Sequence, residues 1–546
     1  MSHATSHEFS RYAEVRAALA DPALVPGPPD PCDGPPGASV AWLRATVARF
    51  ASGEPHRRRR ALVEAELARL DPAELHRAAT TAGRGSGLRT RVVCGLAAAL
   101  DMPEPERIAQ DVAVVADAYF GDAGAAHGAG CAGSGDAPSA GRTAAAPADQ
   151  AVARLVALLT PGTTDEAGPE AVANRIGLLV QACAATATLV EAVTAAGPGV
   201  PTARVLREDP PVRTMRRVAA RATRVAGREI AEGDVVLLDL VAAQHGRPVP
   251  LTFGAPPRVC PGRAHALALA DGLLGRPLTP FARLHHRGGA LLLPNAWDHA
   301  SAAALVAEGF EAVGTTSLGV AAGLGLPDGA AATKEATVDL ARRLGRGSFL
   351  FSVDAEGGFS DDPAEVAVLA RRLYEAGAAG INLEDGRPDG TLAPVELHAA
   401  KIAAVKAAAP GLFVNARTDT YWLGRERERT ADRLAVYEQA GADGVFVPGL
   451  SDRAGIAALT AALVTPLNVL FSPAGPGLAE LGALGVRRVS LGSLLYREAL
   501  AGAAATAAAI RAGRAVDRGA LSYAEVQALA PGAASGGRGG DDVDDG

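Results

Sequence analysis

From residue 291 onward the chain repeats one unit, a short apolar run followed by a dozen or so residues of helical periodicity. The runs are LLLPNA from 291, AVGTTS from 312, FLFSVDAE from 349, GINLEDG from 380, LFVNARTD from 412, GVFVPGL from 444, LNVLFS from 467 and RVSLGS from 488. Between them lie segments such as DPAEVAVLARRLYEAG and ERTADRLAVYEQAG, apolar at i, i+3, i+4 and closed by glycine. Continuous apolar strands alternating with amphipathic helices require a parallel sheet covered by helices. Eight such units between 279 and 515 have the size and grammar of a (β/α)8 TIM barrel.

The half before it reads differently. EVRAALAD, VAWLRATVARFA, HRRRRALVEAELARL and the long PEAVANRIGLLVQACAATATLVEAVTAAG are helical, with a minor β element in 212–243. With 546 residues the chain exceeds one domain, and the expected division is 1–278, 279–515 and a largely disordered acidic tail over 516–546. The Gly/Ala/Ser/Pro stretch over 121–149 is expected to be a flexible insert, being too poor in large apolar residues to pack. The net charge of −7 and the absence of a basic stripe with interleaved aromatics exclude nucleic acid as a partner. No apolar run reaches the length of a membrane span by inspection, and the five scattered cysteines have neither C-x-x-C spacing nor a disulfide pattern, so a cytoplasmic protein that binds no membrane is expected.

In such a barrel the chemistry sits at the C-terminal ends of the strands. There the sequence places Asn295, Trp297 and Asp298, then Thr316 and Ser317, Asp354 and Glu356, Glu384 and Asp385, and Asn415, Arg417 and Asp419. Several carboxylates at one mouth cannot all stay ionised without a cation, and hard divalent ions prefer oxygen ligands, which points to Mg2+. Because Mg2+ keeps several waters, Asp354 is the expected direct ligand, with Glu356, Glu384 and Asp328 in the metal site through water. Arg417 offers a planar pair of donors to a substrate carboxylate, and Ser317 with neighbouring N–H groups can hold oxygens at its other end. Lone His265, His285 and His286 have no ligand spacing and read as surface or linker residues.

The segments LLLPNAWDHASA, VGTTSLGVAAGLGLPDG, SVDAEGGF, GINLEDG, FVNARTDTYWLG and DGVFVPGL resemble the isocitrate lyase / phosphoenolpyruvate mutase superfamily over about residues 281–515. The resemblance implies Mg2+-dependent making or breaking of a C–C or P–C bond beside a 2-oxo acid, through an enolate, on a small 2-oxo acid or phosphonate-type substrate. By position it carries metal roles to Asp354, Glu356, Asp328 and Glu384. Catalytic roles fall on Arg417, Glu384, Ser317 and Thr316, and substrate contacts on Ser317, Leu318, Asn415, Arg417 and Trp297. It also implies a homo-oligomer. One departure matters: the catalytic cysteine of isocitrate and methylisocitrate lyases has no counterpart, because the loop after strand four is EDGRPDGTLAPVE and no cysteine follows Cys260. Arg387 and Asp389 are its only polar candidates.

The loop FGAPPRVCPGR, Phe253 to Arg263, resembles the haem loop of the cytochrome P-450 family, with fragments in order before it over residues 7–275. That resemblance makes Cys260 an axial thiolate to haem iron. It gives cofactor contacts to His56, Arg60, Thr186, Arg216 and Arg258, and implies a shortened α-rich haem-thiolate-like domain. Departures are Pro256 in place of a glycine, Ala185 in place of the acid before the helix threonine, and Arg204 in place of the glutamate of E-x-x-R, which sets two arginines, 204 and 207, against each other. Three readings of this half follow: a haem monooxygenase served by a redox partner, a haem-binding module, or a non-catalytic interaction domain.

Overall fold

The computed structural model describes residues 5–27, 29, 32, 34–120, 145–160, 168–516 and 519–530. The described chain forms two compact units, Met1–Gly288 with Ala431–Gln439 and Ala457–Val464, and Gly289–Thr430 with Ala440–Ile456 and Thr465–Gly546. The expected insert over 121–149 lies mostly outside the described residues. Its end differs from the expectation, since Ala145–Leu159 is helix. Within 516–546, helix Tyr523–Ala528 is formed with a capping box from Ser522 and Glu525, and the stretch 531–546 lies outside the described residues.

The first unit has a helical apolar core and a second, smaller one around its sheet. Its central helix is Gly168–Ala196, against which helices Leu88–Ala99, Pro105–Tyr119 and Arg263–Leu273 pack through Val92, Val93, Ile108, Val112, Ile176, Leu179 and Leu269. Contrary to the expectation from inspection, this helix is long and apolar enough to cross a membrane by length and composition. Its largely buried Val172, Ile176, Leu179, Val180, Leu189 and Val190 show why: it is apolar on most sides because other helices surround it. Beside the helices, strands β1 (Ser6–Phe9), β2 (Leu24–Val25), β3 (Thr214–Ala219) and β6 (Val235–Asp239) form one sheet in the order β1-β6-β3-β2, and β4 (Thr223–Val225) pairs with β5 (Arg228–Ile230) in a hairpin. His285 is not a surface residue: it is 1% exposed, with Nδ1 2.9 Å from the Phe281 carbonyl oxygen and its ring edge-on to that phenyl.

The second unit holds the parallel strands expected from the repeat. They are β7 (Leu291–Leu293), β8 (Asn295–Ala296), β9 (Ala312–Thr315), β10 (Leu350–Asp354), β11 (Gly380–Glu384), β12 (Phe413–Arg417), β13 (Gly444–Val447), β14 (Leu467–Leu470) and β15 (Val486–Ser490). The sheet runs β7-β15-β14-β13-β12-β11-β10-β9-β8. Since β7 and β8 are halves of one strand interrupted at Pro294, which has no N–H to give the ladder, the sheet returns on itself as a (β/α)8 barrel. Strands β11, β12 and β13 are buried on both faces, as a helix-covered parallel sheet requires.

Candidate active site

Asp354, Glu384 and Arg417 end their strands, and Asp385, Glu356 and Asp419 follow one or two residues beyond. Arg417 ends β12 and is the hub. Its Nε donates to Asp419 Oδ1 at 2.7 Å, Nη2 to Asp419 Oδ2 at 3.2 Å, and Nη1 lies 2.7 Å from Glu384 Oε2. The Phe446 ring lies 5.7 Å from its guanidinium carbon. Burial works against the charge on Arg417, but Glu384, Asp419 and Asp354 outweigh it and hold the pKa above the ordinary value. Asp419 is fixed from behind: its N–H donates to Asp385 Oδ1 at 2.9 Å, and Thr418 Oγ1 donates to Asp385 Oδ2 at 2.8 Å.

Asp354 ends β10. Its N–H donates to Thr315 Oγ1 at 2.8 Å and its Oδ2 accepts from the Ser317 N–H at 3.4 Å, while Oδ1 is buried with no hydrogen-bond partner. Burial raises the Asp354 pKa, Arg417 lowers it, and Asp328 raises it again. Glu356 stands in the loop beyond, at φ 48°, with Oε1 accepting from Thr333 Oγ1 at 2.7 Å and Oε2 from the Ala331 N–H at 3.2 Å. Burial raises it too, with Asp354 and Asp328 adding to the effect. Glu384 is pushed well above the ordinary carboxylate range by burial, against the pull of Arg417. Carboxylates raised in this way are those a bound cation would return to the charged form.

The acids named for the metal site thus have different partners. Among the described residues no three His, Cys, Asp or Glu side chains form a closed metal cage. Glu384 is engaged with Arg417 and Glu356 with Thr333 and Ala331, which leaves the partnerless Asp354 Oδ1 as the oxygen that fits a divalent ion. Asp328 is exposed and acts on Asp354 through its charge. A Mg2+ ion, which commonly touches one or two carboxylates and keeps water elsewhere, is compatible with that arrangement.

Other candidates separate into mouth and scaffold. Thr316 is buried, and Ser317 and Leu318 begin helix Ser317–Gly323, all beside Asp354. Asn415 faces the barrel interior instead, its Nδ2 donating to Asn382 Oδ1 at 2.9 Å. Asn295 is structural, accepting the Leu491 and Gly492 N–H groups. Asp298 caps helix His299–Ala307 in a capping box with Ser301. The Trp297 ring meets Tyr496 edge-on at 5.3 Å and lines an apolar cavity of about 410 Å³ with Leu305, Leu495 and Val526, a place for packing rather than for an anionic substrate. Arg387 is paired with Asp361 at 2.6 Å, and Asp389 accepts from the Thr391 N–H and hydroxyl. Inspection missed Thr315, Thr333 and Asn382, whose neutral side chains carry no signal of their own.

In the first unit the arginines flagged around Cys260 do gather. Arg60 Nη1 donates to the Val259 carbonyl at 2.7 Å, Arg258 Nη2 to the Ala51 carbonyl at 2.9 Å, and His56 is lowered by burial, with Arg258 and Arg60 adding to the effect. Arg216 does not join them. It is exposed on β3 opposite Leu237, whereas Arg217, opposite the buried Val236, has its pKa pushed down to about 10 by burial, with Arg49 and Arg258 adding. Adjacent strand residues face opposite ways, so Arg217 and not the expected Arg216 is the enclosed arginine of the pair. Arg204 and Arg207 do not confront each other either, because Arg204 is exposed and Arg207 pairs with Glu208. Thr186 is buried on the central helix. Cys260 has an exposed residue surface, and its thiol is raised by the protein atoms packed around it, against the pull of the Gly262 N–H, Arg60, Arg263 and Arg49. Arg60 and Arg258 thus give donors to the Val259 and Ala51 carbonyls rather than leaving them turned to an open pocket. The missing brace at Arg204 does not supply the support that the resemblance implies.

A helix-covered parallel barrel with an acid–arginine cluster at the C-terminal ends of its strands defines the class of enzyme to which the second unit answers. A sequence model described as phosphoenolpyruvate phosphomutase matches residues 281–511. An uncharacterized protein of Mycobacterium tuberculosis is 46% identical over 240 residues, 44% of this chain and 91% of that protein. An oxaloacetate decarboxylase of a Bradyrhizobium species is 34% identical over 204 residues, 35% of this chain and 65% of that enzyme. A solved phosphonopyruvate hydrolase, in complex with oxalate and Mg2+, is 22% identical with a TM-score of 0.42, over 46% of this chain and 93% of its own. The C-terminal region of this chain belongs to the phosphoenolpyruvate mutase / isocitrate lyase superfamily.

Proposed function

We propose that the unit over 279–515 is a Mg2+-dependent lyase, mutase or hydrolase that makes or breaks a C–C or P–C bond of a small 2-oxo acid through an enolate, without a catalytic cysteine. The observation that carries this reading is Arg417. Its Nε and Nη2 donate to Asp419 and its Nη1 lies 2.7 Å from Glu384 Oε2, and a guanidinium with five N–H donors keeps others for a substrate carboxylate. The partnerless Asp354 Oδ1 beside it supports a cation site, to which Asp328 and Glu356 add negative charge. A divalent ion held there supplies polarisation of the oxo group and stabilisation of developing negative charge.

The chain's own groups do the rest. Arg417 orients the substrate carboxylate, the Ser317 hydroxyl with Thr316 holds an oxygen at the far end, and Leu318 closes one side. Glu384, whose pKa burial raises against the pull of Arg417, is the acid placed to exchange a proton with the substrate. The oxaloacetate decarboxylases among the relatives make oxaloacetate the first substrate to try. The test is pyruvate release by the full-length chain with Mg2+, followed through a lactate dehydrogenase couple. Asp354→Ala is expected to abolish turnover with an unchanged circular dichroism spectrum. Retained Mg2+-dependent turnover in that variant removes the metal assignment.

A second reading concerns the first unit and rests on the gathering of His56, Arg60, Arg258 and Arg217 near Cys260. If haem binds, Cys260 is its axial ligand and those cations hold its carboxylates, with Arg217 replacing Arg216 in the assignment. A monooxygenase would further need a redox partner. Haem reconstitution distinguishes this from an interaction domain: the red-shifted Soret band of a reduced carbonyl thiolate complex is expected, and its absence in haem-saturated protein removes both haem readings.

A further inference from the structure

Arg488, on β15, is 1% exposed and is the largest fully buried side chain among the described residues. Its Nε donates to Ser490 Oγ at 3.2 Å and its Nη2 to Asn382 Oδ1 at 3.1 Å, while Nη1 is buried with no partner. Asn382 Oδ1 also accepts from Asn415, and Asn382 stands directly opposite Asp354 in the β10–β11 ladder, its carbonyl accepting from the Ala355 N–H at 3.1 Å. Ser352 Oγ and Asp354 Oδ1, at successive inward positions of β10, are likewise buried without partners. A guanidinium inside a barrel is costly unless a negative charge compensates it, and no carboxylate is hydrogen-bonded to this one. Burial pushes its pKa down to about 9, and the charge that opposes this is that of Asp354.

We propose that Arg488 is a positioning residue of the candidate site, a buried counter-cation that orders Asp354 through Asn382 and sets the charge a divalent ion meets there. The proposal rests on reading Asp354 as the metal-holding carboxylate. A fixed positive charge beneath the site repels an arriving cation, so the wild-type chain binds a divalent ion more weakly than its carboxylates alone would allow.

The experiment measures Mn2+ affinity of the full-length chain by electron paramagnetic resonance and calorimetry, with folding checked by circular dichroism. Arg488→Met removes the charge and the partnerless Nη1 at similar volume, an exchange that buried ionic groups often tolerate. Roughly tenfold or tighter Mn2+ binding is expected. Arg488→Lys, which keeps the charge, is expected to bind as wild type. If Arg488→Met does not fold, Arg488→Gln, which keeps a donor for Asn382 without the charge, reads the same quantity. A residue that only fills space gives the opposite pattern, with unchanged or weaker binding in the neutral variant or Lys behaving like Met, and either result overturns the proposal. Failure of wild type to bind Mn2+, or equal binding by Asp354→Asn, overturns the Asp354 assignment itself and the proposal with it.

Discussion

Gly386, at the start of the loop after β11, offers a sharp test of how the arginine is held. Its φ lies outside the left-handed region, so the backbone alone does not demand glycine. Space does: a Cβ at this position would lie 2.2 Å from Asp419 Oδ2 and 3.1 Å from its Cγ. To reach ordinary contact the carboxylate must retreat by roughly 1 Å. Asp419 cannot do so freely, because its N–H is tied to Asp385 and its oxygens to Arg417. Gly386→Ala therefore strains the Asp419–Arg417 fork, at an overpacking cost of about 1–3 kcal/mol. At the upper end, with about 2–4 °C per kcal/mol for a unit of this size, the barrel transition should fall by roughly 6–12 °C. A displacement of that order at Arg417 should lower kcat/KM about 10²-fold. Calorimetry and the pyruvate-release assay read both quantities. If the clash is the cause, the effects of Gly386→Ala and Asp419→Ala are not additive, since truncating Asp419 removes the obstacle. A variant with wild-type melting and rate, or additive losses in the pair, would refute the reasoning.

Arg417→Lys keeps a charge but loses the planar fork, so KM for a 2-oxo acid should rise and kcat/KM fall roughly 10²-fold or more in steady-state kinetics. Unchanged kinetics would remove Arg417 from the substrate site. In the first unit, Asp234 is held below the ordinary carboxylate range by His7, with the Thr5 and Ala231 N–H groups adding to the effect. A depressed folded pKa contributes stability that is present above the unfolded value and is lost as pH falls through the folded one. Asp234→Asn should therefore be less stable at neutral pH, and the gap to wild type should close on acidification in denaturant titrations. A gap constant down to the lowest pH would contradict this.

The barrel was legible because its signal is repeated: each strand is a continuous apolar run and each helix has its own period, so no one segment has to be read correctly for the sum to be right. Arg417, Asp354 and Glu384 were legible for a related reason, since polar residues at strand ends in a barrel converge whatever their sequence separation. Their division of labour was not. The sequence names Asp354 and three further acids but not their partners, and the structure gives Glu384 to Arg417 and Glu356 to Thr333, and leaves Asp354 with a partnerless oxygen. That Trp297 lines an apolar cavity was not legible, because an aromatic beside a strand end reads the same whether it turns to substrate or into such a cavity.

The linear chain thus determined periodicity, strand count and the sign of the charges at the mouth, all of which are local properties. Tertiary structure decided which of two adjacent residues faces inward, as for Arg216 and Arg217, and which oxygens find partners. It also brought Arg488 beside Asn382, 106 residues earlier in the chain. The physical reason is that facing depends on strand register and partner choice on packing, and both are set by contacts between segments far apart in sequence.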